Sequence, residues 1–185
     1  MAGMAWRGGL LRFSVVIRDA LPGEFAEVAR IRLAAYQAGG YLLPSSRYAP
    51  MLAALGTADD GHVLVAADGG RLIGTVMLQL WPRSGQMVTA PDEAEIRALA
   101  VTPGCQGQGT GRALLRAVTG RAAAEGIRHL VLCTQRAMFA AHHLYEQAGF
   151  IRLPERDWSP GEGEVLLAYG RLLAGHEPAS PLPAR

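Results

Sequence analysis

A glycine-rich run between an apolar segment and an amphipathic one most constrains how this chain folds. Residues 95–115 read EIRALAVTPGCQGQGTGRALL. The apolar residues up to Val101 predict a strand, Pro103 and Gly104 end it, and the Leu/Ala/Val periodicity from Arg112 onward predicts a helix. Three glycines at alternate positions are unfavourable in either element, so we expect a turn whose backbone approaches a ligand closely.

Such a turn suits a pyrophosphate group. Without Cβ atoms, successive backbone N–H groups can point into one concavity, and the following helix adds the positive end of its dipole. A tight loop that only joins the strand to the helix is the alternative interpretation. Two other phosphate motifs fit poorly, because a Walker motif needs a lysine, which the chain lacks, and Arg112 holds the position of the third Rossmann glycine.

The glycine run and a second segment together resemble one enzyme family. Gln106 to Gly111 has the form Gln-x-x-Gly-x-Gly after a strand and a proline, and residues 141–150 read AHHLYEQAGF. Both are similar to signatures of the GNAT superfamily of N-acetyltransferases, and the resemblance extends over about residues 15–172. It implies an acyltransferase that uses acetyl-coenzyme A (acetyl-CoA) as co-substrate.

The resemblance implies that Tyr145 protonates the departing thiolate of coenzyme A. A phenol has an unperturbed pKa of about 10, so it is still protonated at neutral pH and can donate. A core tyrosine whose hydroxyl caps a backbone group is the alternative. Family members often carry an asparagine seven residues earlier, where this chain has Met138, and we consider Thr134 or Gln135 as its substitute.

The attacking amine must lose a proton before it can react, so a base is needed. Glu95, at the start of the central strand, is the first candidate, provided that it faces the same side as Leu99 and Val101. A solvated acidic residue is the alternative interpretation of Glu95. Two weaker candidates for the base are Glu93 and Asp92.

Backbone N–H groups are expected to hold acetyl-CoA at the strand end and in the glycine run. Those at the strand end would hold the thioester arm and polarise its carbonyl, and those of the run would hold the pyrophosphate. The expected cofactor-binding residues are Leu99, Ala100, Val101, Gln106, Gly107, Gln108, Gly109, Thr110, Gly111 and Arg112.

The order of elements predicts an α/β (α+β) fold with a mixed sheet of about six to seven strands and flanking helices. An antiparallel N-terminal half is followed, after Glu95, by alternating strands and helices that indicate parallel pairing. The resemblance implies that the central parallel strands splay apart near the cofactor. We expect a loose extension over 1–14, one domain over 15–173 and a disordered tail over 174–185. The expected strands are 15–18, 62–67, 71–81, 95–101, 129–134 and 165–171, and the expected helices 25–36, 45–55, 109–125 and 137–148.

Composition limits the classes of partner and compartment. A formal charge of +2 is too small to indicate nucleic acid or an anionic membrane as a partner, and no segment approaches the roughly 20 apolar residues that span a bilayer. Two cysteines form neither a disulfide framework nor a zinc site. The neighbouring His142 and His143 point to different sides of a helix, so no metal is expected. We expect a soluble cytoplasmic protein.

The expected reaction is direct transfer of an acetyl group from acetyl-CoA to a primary amine of a small molecule or amino-acid-like acceptor. A protein or peptide N-acetyltransferase and a non-catalytic CoA-binding regulatory domain are the alternatives, and a homodimer is weighed against a monomer. The resemblance assigns acceptor choice to segments 37–47, 82–93 and 154–164. Side chains in and beside them that would suit a cationic or aromatic amine are Tyr36, Tyr41, Tyr48, Glu155, Asp157, Trp158, Glu162 and Glu164.

Overall fold

The computed structural model describes residues 15–42, 46–58, 61–82, 87–161 and 164–173. Residues 161 and 164 are described by their backbone alone. The predicted extension 1–14, the predicted tail 174–185, and Ser45 as part of a helix cap lie outside these residues.

A mixed sheet of eight strands forms the centre of the described chain, in the order β1-β2-β3-β4-β5-β8-β6, with β7 paired to β8. No helix in the described ranges is both long enough and apolar enough to cross a membrane. The strands are β1 (Val16–Asp19), β2 (Gly61–Asp68), β3 (Arg71–Leu80), β4 (Glu93–Val101), β5 (His129–Gln135), β6 (Ile151–Arg152), β7 (Trp158–Gly161) and β8 (Glu164–Leu172). The helices are α1 (Phe25–Ala38), α2 (Tyr48–Ala54), α3 (Thr110–Ala124) and α4 (Phe139–Gln147).

Strands β1 to β4 pair antiparallel in sequence order, which confirms the predicted N-terminal half. Strands β6 and β7 were not among the expected strands. β6 has only two residues, and β7 contains Pro160, so neither has the alternating pattern that predicts a strand.

The parallel pairing of β4 with β5 is confined to their first residues. The ladder runs from Glu93 and His129 to Glu95 and Val131, and neither strand pairs with the other beyond that point. The two strands therefore separate along the second half of β4, which confirms the predicted splay.

A β-bulge in β4 reverses which face its side chains occupy. Ala98 has a φ of +50°, and the pairing of β3 with β4 changes register next to it. After the bulge, Leu99 and Val101 pack on the face covered by α3, whereas Glu95, before it, faces the side of α1 and α2. The expectation that Glu95 shares the face of Leu99 and Val101 is wrong, because one inserted residue inverts the alternation of side chains.

Each face of the sheet has its own apolar core. Leu114 and Val118 of α3, both fully buried, pack on one face, and Val28 and Leu52 of α1 and α2 pack on the other. The helix α3 lies very close to the sheet, because a Cβ atom added at Gly74 of β3 would be 2.9 Å from Leu114 Cδ1. The lack of a side chain at Gly74 thus lets Leu114 of α3 lie against β3, opposite Val101 of β4.

Candidate active site

The glycine run forms an exposed turn that leads directly into α3. Gly107 and Gly109 have φ values of +74° and +87°, and a Cβ atom added at either would meet nothing within 4 Å. Among the described residues, none accepts a hydrogen bond from the backbone N–H groups of residues 107–112. Six consecutive amides at and before a helix N-terminus thus lack acceptors in the part of the chain that the structure describes, which is the arrangement that binds anions.

Side chains of the glycine run form hydrogen bonds that stabilise the turn. The Gln106 amide donates to the Val101 carbonyl at 3.1 Å, and the Gln108 amide lies 3.4 Å from the Gly104 carbonyl that it donates to. The Arg112 guanidinium donates at 2.8 Å to Gln147 in α4. That last hydrogen bond links the start of α3 to the end of α4.

The helix α4 carries Tyr145 into the core beside the glycine run. Tyr145 is 7% exposed and its ring lies 6.0 Å from Phe150 and 6.2 Å from Tyr169, between ring centroids. Burial raises its pKa above the usual range, and the neighbouring Cys133 raises it further. Because the pKa is raised, the phenol keeps its proton at any pH at which the protein would work.

A cavity of about 590 Å³ opens on the other face of the sheet, where β4 and β5 separate. It is bounded by α1, α2, the start of α4, the segment before β4, and the hairpin of β7 and β8. All three segments that were expected to choose the acceptor contribute to it. The lining residues are Tyr36, Gly40, Tyr41, Ser46, Tyr48, Met51, Met87, Glu95, Ile96, Arg97, Ala98, Cys133, Thr134, Gln135, Met138, Trp158, Pro160 and Leu166.

Glu95 presents a buried carboxylate to this cavity. The residue is 4% exposed, and its carboxylate lies 3.7 Å from Arg97 Nε and 4.0 Å from Cys133 Sγ. Burial raises the pKa of Glu95, and the positive charge of Arg97 partly opposes that shift. Burial and the Glu95 charge together raise the pKa of Cys133 to about 11, so the thiol stays protonated.

Arg97 and Cys133 are cavity residues that the sequence did not assign to the site. Arg97 donates at 2.7 Å to Gln79 on β3, and a hydrogen bond also joins it to the Tyr48 side chain. A signal for Arg97 was present in the sequence, since it is the one charged residue within the apolar part of β4. No comparable signal marks Cys133, which lies in the regular pattern of a buried strand.

Met138 stands where the family has asparagine, and it lines the cavity with both candidate substitutes. The Thr134 hydroxyl lies 3.4 Å from the Met138 sulfur that it donates to. The Gln135 amide donates at 3.1 Å to the Tyr41 carbonyl. Each of these two side chains thus donates a hydrogen bond to another group of the protein. Thr134 donates to the residue before α4, and Gln135 donates to the segment after α1.

Glu93, a weaker candidate for the base, is enclosed in an ion-pair cluster. Its carboxylate accepts hydrogen bonds from Arg156 at 2.7 Å, from the Thr89 backbone N–H at 2.8 Å and from the Thr89 hydroxyl at 2.9 Å, and it lies 2.8 Å from His129 Nδ1. These contacts, with Arg156 the largest, hold the pKa of Glu93 well below its usual range. Arg156 also donates to the Met87 carbonyl.

The two described acidic side chains of the final hairpin, Glu155 and Asp157, do not line the cavity. Glu155 is exposed, and Asp157 is held by two 2.9 Å hydrogen bonds from Arg152 that lower its pKa. Asp92, the other weak candidate for the base, lies 3.9 Å from Arg128 at the surface. Glu162 and the side chain of Glu164 lie outside the described residues. Within the described ranges, no three or more His, Cys, Asp or Glu side chains are grouped to hold a metal ion.

Comparison with known proteins decides the family. A model of the acetyltransferase (GNAT) family matches residues 25–150. The chain belongs to this family. Mycothiol acetyltransferase of Cellulomonas flavigena is 35% identical to this chain over 118 residues. The match covers 59% of this chain and 34% of that relative. The chain thus spans about a third of the length of the curated relative that it matches.

Solved structures of GNAT proteins share the fold at low identity. The ribosomal-protein-S18-alanine N-acetyltransferase of Escherichia coli has a TM-score of 0.68 at 21% identity, over 92% of this chain and all of its own. A GNAT acetyltransferase of Staphylococcus aureus Mu50 has a TM-score of 0.68 at 18% identity, over 87% of this chain and all of its own. PaiA N-acetyltransferase of Thermoplasma acidophilum, solved with coenzyme A, has a TM-score of 0.63 at 16% identity, over 84% of this chain and 98% of its own. The predicted GNAT fold is confirmed.

The Glu93 cluster should stabilise the GNAT domain in a pH-dependent way. Because the folded state lowers its pKa, ionised Glu93 stabilises the fold above the unfolded value of about 4.3, and this contribution is lost as the pH falls through the folded value. We expect Glu93→Gln to lower the free energy of unfolding by about 2 kcal/mol at pH 7, and by less below about pH 4. Urea unfolding at both pH values measures this.

Glu27→Gln is the matched control, because Glu27 pairs with Arg30 on the exposed surface of α1. Its effect should stay within about 0.5 kcal/mol at either pH. Equal effects of the two variants at pH 7 would contradict a stabilising role for the Glu93 cluster.

Proposed function

We propose that this chain transfers the acetyl group of acetyl-CoA to the primary amine of a small molecule, through a domain formed by residues 15–173. The observation that carries the proposal is the cavity of about 590 Å³ into which Glu95 faces, next to the gap between β4 and β5. Acetyl-CoA supplies an activated acetyl thioester. The chain itself must bind that thioester, hold the amine near it, and move two protons.

The amides of residues 107–112, which have no acceptor among the described residues, fit the pyrophosphate of acetyl-CoA. A Cβ atom added at Gly107 or Gly109 would meet nothing within 4 Å, and the N-terminus of α3 adds favourable potential for an anion. Leu99, Ala100 and Val101 follow the bulge on the part of β4 that β5 does not cover. Their backbone groups suit the thioester arm, and an N–H there would stabilise the oxyanion as the amine adds to the carbonyl.

Proton removal is assigned to Glu95, directly or through a water molecule. Its raised pKa makes it a stronger base than an exposed glutamate, and the positive charge of Arg97 partly opposes that rise. The incoming ammonium gives its proton to Glu95, the neutral nitrogen forms the new bond to the carbonyl carbon, and the carbon–sulfur bond breaks. Tyr145 is assigned the protonation of the thiolate that leaves. The acetylated nitrogen then releases its extra proton, which restores the phenol.

A small acceptor is favoured over a peptide by the walls of the cavity. The hairpin of β7 and β8 contributes Trp158, Pro160 and Leu166 to one side, and the Gln135 hydrogen bond to Tyr41 links two other sides. A cavity of about 590 Å³ lies within the usual range for small-molecule sites. A protein acceptor would need a groove open at both ends.

The proposal is tested by thermal unfolding with and without acetyl-CoA, together with thiol release against amines, amino acids and short peptides. At a hundredfold excess over the dissociation constant, acetyl-CoA should add about 2.7 kcal/mol of stability. Stabilisation with thiol release on a small amine supports the proposal. Stabilisation without release on any acceptor would favour a CoA-binding regulatory domain, and release on peptides alone would favour a peptide acetyltransferase.

Substitution in the glycine run should weaken acetyl-CoA binding where the backbone is left-handed. Gly109→Ala adds a Cβ atom at a φ of +87°, which strains the backbone by about 1–2 kcal/mol and disturbs the amide cradle. We expect about tenfold weaker binding of acetyl-CoA in calorimetry. Gly104→Ala is the control, since Gly104 has free space and no positive φ, and unchanged binding in both variants would contradict the cradle.

Loss of the Tyr145 hydroxyl should slow turnover and leave binding intact. Tyr145→Phe keeps the ring packed against Phe150 but removes the proton donor, so we expect kcat to fall about a hundredfold with an unchanged dissociation constant for acetyl-CoA. Tyr169→Phe changes a hydroxyl in the same ring cluster and should leave kcat within about twofold. A wild-type kcat for Tyr145→Phe would exclude the acid role.

The proton acceptor should be visible in the pH profile of kcat/KM. A raised pKa at Glu95 moves the acidic limb of the profile above the usual carboxyl value of about 4.3, and activity increases with pH as the carboxylate ionises. Glu95→Gln should lower kcat about a hundredfold at neutral pH and remove that limb. An unaltered limb in the variant would assign the base to another group.

A further inference from the structure

The described lining of the acceptor cavity is aromatic on several sides and carries one carboxylate, Glu95, and one guanidinium, Arg97. We infer that the acceptor is a monoamine with an aromatic or alkyl body and no second charged group, and this rests on the proposed function. This inference narrows the proposed function, because it excludes two classes of acceptor. Amino acids carry a carboxylate beside the amine, and polyamines carry further ammonium groups. The residues that form the aromatic and thioether walls are Tyr36, Tyr41, Tyr48, Trp158, Met51, Met87 and Met138.

The cavity offers one counter-charge for an ammonium group. Among its described lining residues, Glu95 is the single carboxylate. Two described carboxylates on neighbouring elements are occupied, since Glu93 is held by Arg156 and His129, and Asp157 by Arg152. A second ammonium of a polyamine would therefore enter without a carboxylate partner among the described residues, and burying an unpaired charge is strongly unfavourable.

An acceptor carboxylate meets the opposite difficulty. Arg97 is the single guanidinium of the described lining, and its groups already face Glu95 at 3.7 Å, Gln79 at 2.7 Å and the Tyr48 hydroxyl. An amino acid would have to displace these partners to pair with Arg97. Its carboxylate would also lie close to the Glu95 charge, which repels it.

The walls suit a flat or apolar body attached to the amine. Trp158 contributes an aromatic surface from the final hairpin, and Tyr41 contributes one from the segment between α1 and α2. Aromatic faces attract an ammonium group and also bury the apolar part of an acceptor. The three methionines have flexible side chains that can adapt to the shape of an alkyl or aryl body.

The decisive experiment compares matched acceptors by thiol release at saturating acetyl-CoA. We expect kcat/KM for 2-phenylethylamine to exceed that for phenylalanine, 1,4-diaminobutane and a phenylalanine-led tripeptide by at least about tenfold, because each of these adds a charge or bulk that the cavity does not match. A kcat/KM for any of the three that equals or exceeds the phenylethylamine value overturns the inference while the acetyltransferase function stands. Absence of release on every amine overturns the proposed function and this inference with it.

Two variants separate recognition of the aromatic or alkyl part of the acceptor from catalysis. Trp158→Ala should raise the KM for 2-phenylethylamine about tenfold and leave the KM for propylamine within about twofold, because propylamine has no ring to lose contacts. Trp81→Ala is the matched control, since Trp81 is exposed at the end of β3 and does not line the cavity. If Trp158→Ala unfolds, Tyr41→Ala takes its place with the same expectation, and equal losses for both amines would overturn the inference.

Discussion

The early end of the pairing between β4 and β5 is the constraint on which the remaining structure depends. After Glu95 and Val131 the two strands diverge, so one edge of the second half of β4 has no strand beside it. Backbone polar groups in such a position need another partner. The glycine run, the helix that carries Tyr145 and the cavity beside Glu95 all adjoin this gap, so the three parts of the proposed site lie around it.

The sequence predicted the fold well for the elements in which the pattern of apolar residues extends over many positions. Helices α1 and α3 and strands β2, β3, β4, β5 and β8 have ten or more residues, or a regular alternation of apolar positions, and their expected ranges lie close to the observed ones. The short strands β6 and β7 carry no such pattern. Their pairing depends on β8 and on contacts that form only when the chain is folded.

The candidate site was predictable only in the parts that local sequence encodes. Glycines at alternate positions and the Leu-Tyr and Gly-Phe pairs are local, so the loop and Tyr145 could be identified as candidates before the fold was known. The facing of Glu95 could not, because Ala98 is an ordinary alanine and nothing in its type indicates a bulge. The same holds for Arg156 and Glu93, whose contact joins positions 63 residues apart.

The Glu93 cluster lies at the end of the sheet where β4 and β5 are still paired, and the gap lies at the other end. The two half-sheets, β1 to β4 and β5 to β8, are therefore joined strand to strand at one end only. Arg156 reinforces the joined end, because it ties the segment that precedes Trp158 to Glu93 and to the Met87 carbonyl. At the other end, side-chain packing across the two half-sheets rather than a ladder between β4 and β5 determines the width of the gap.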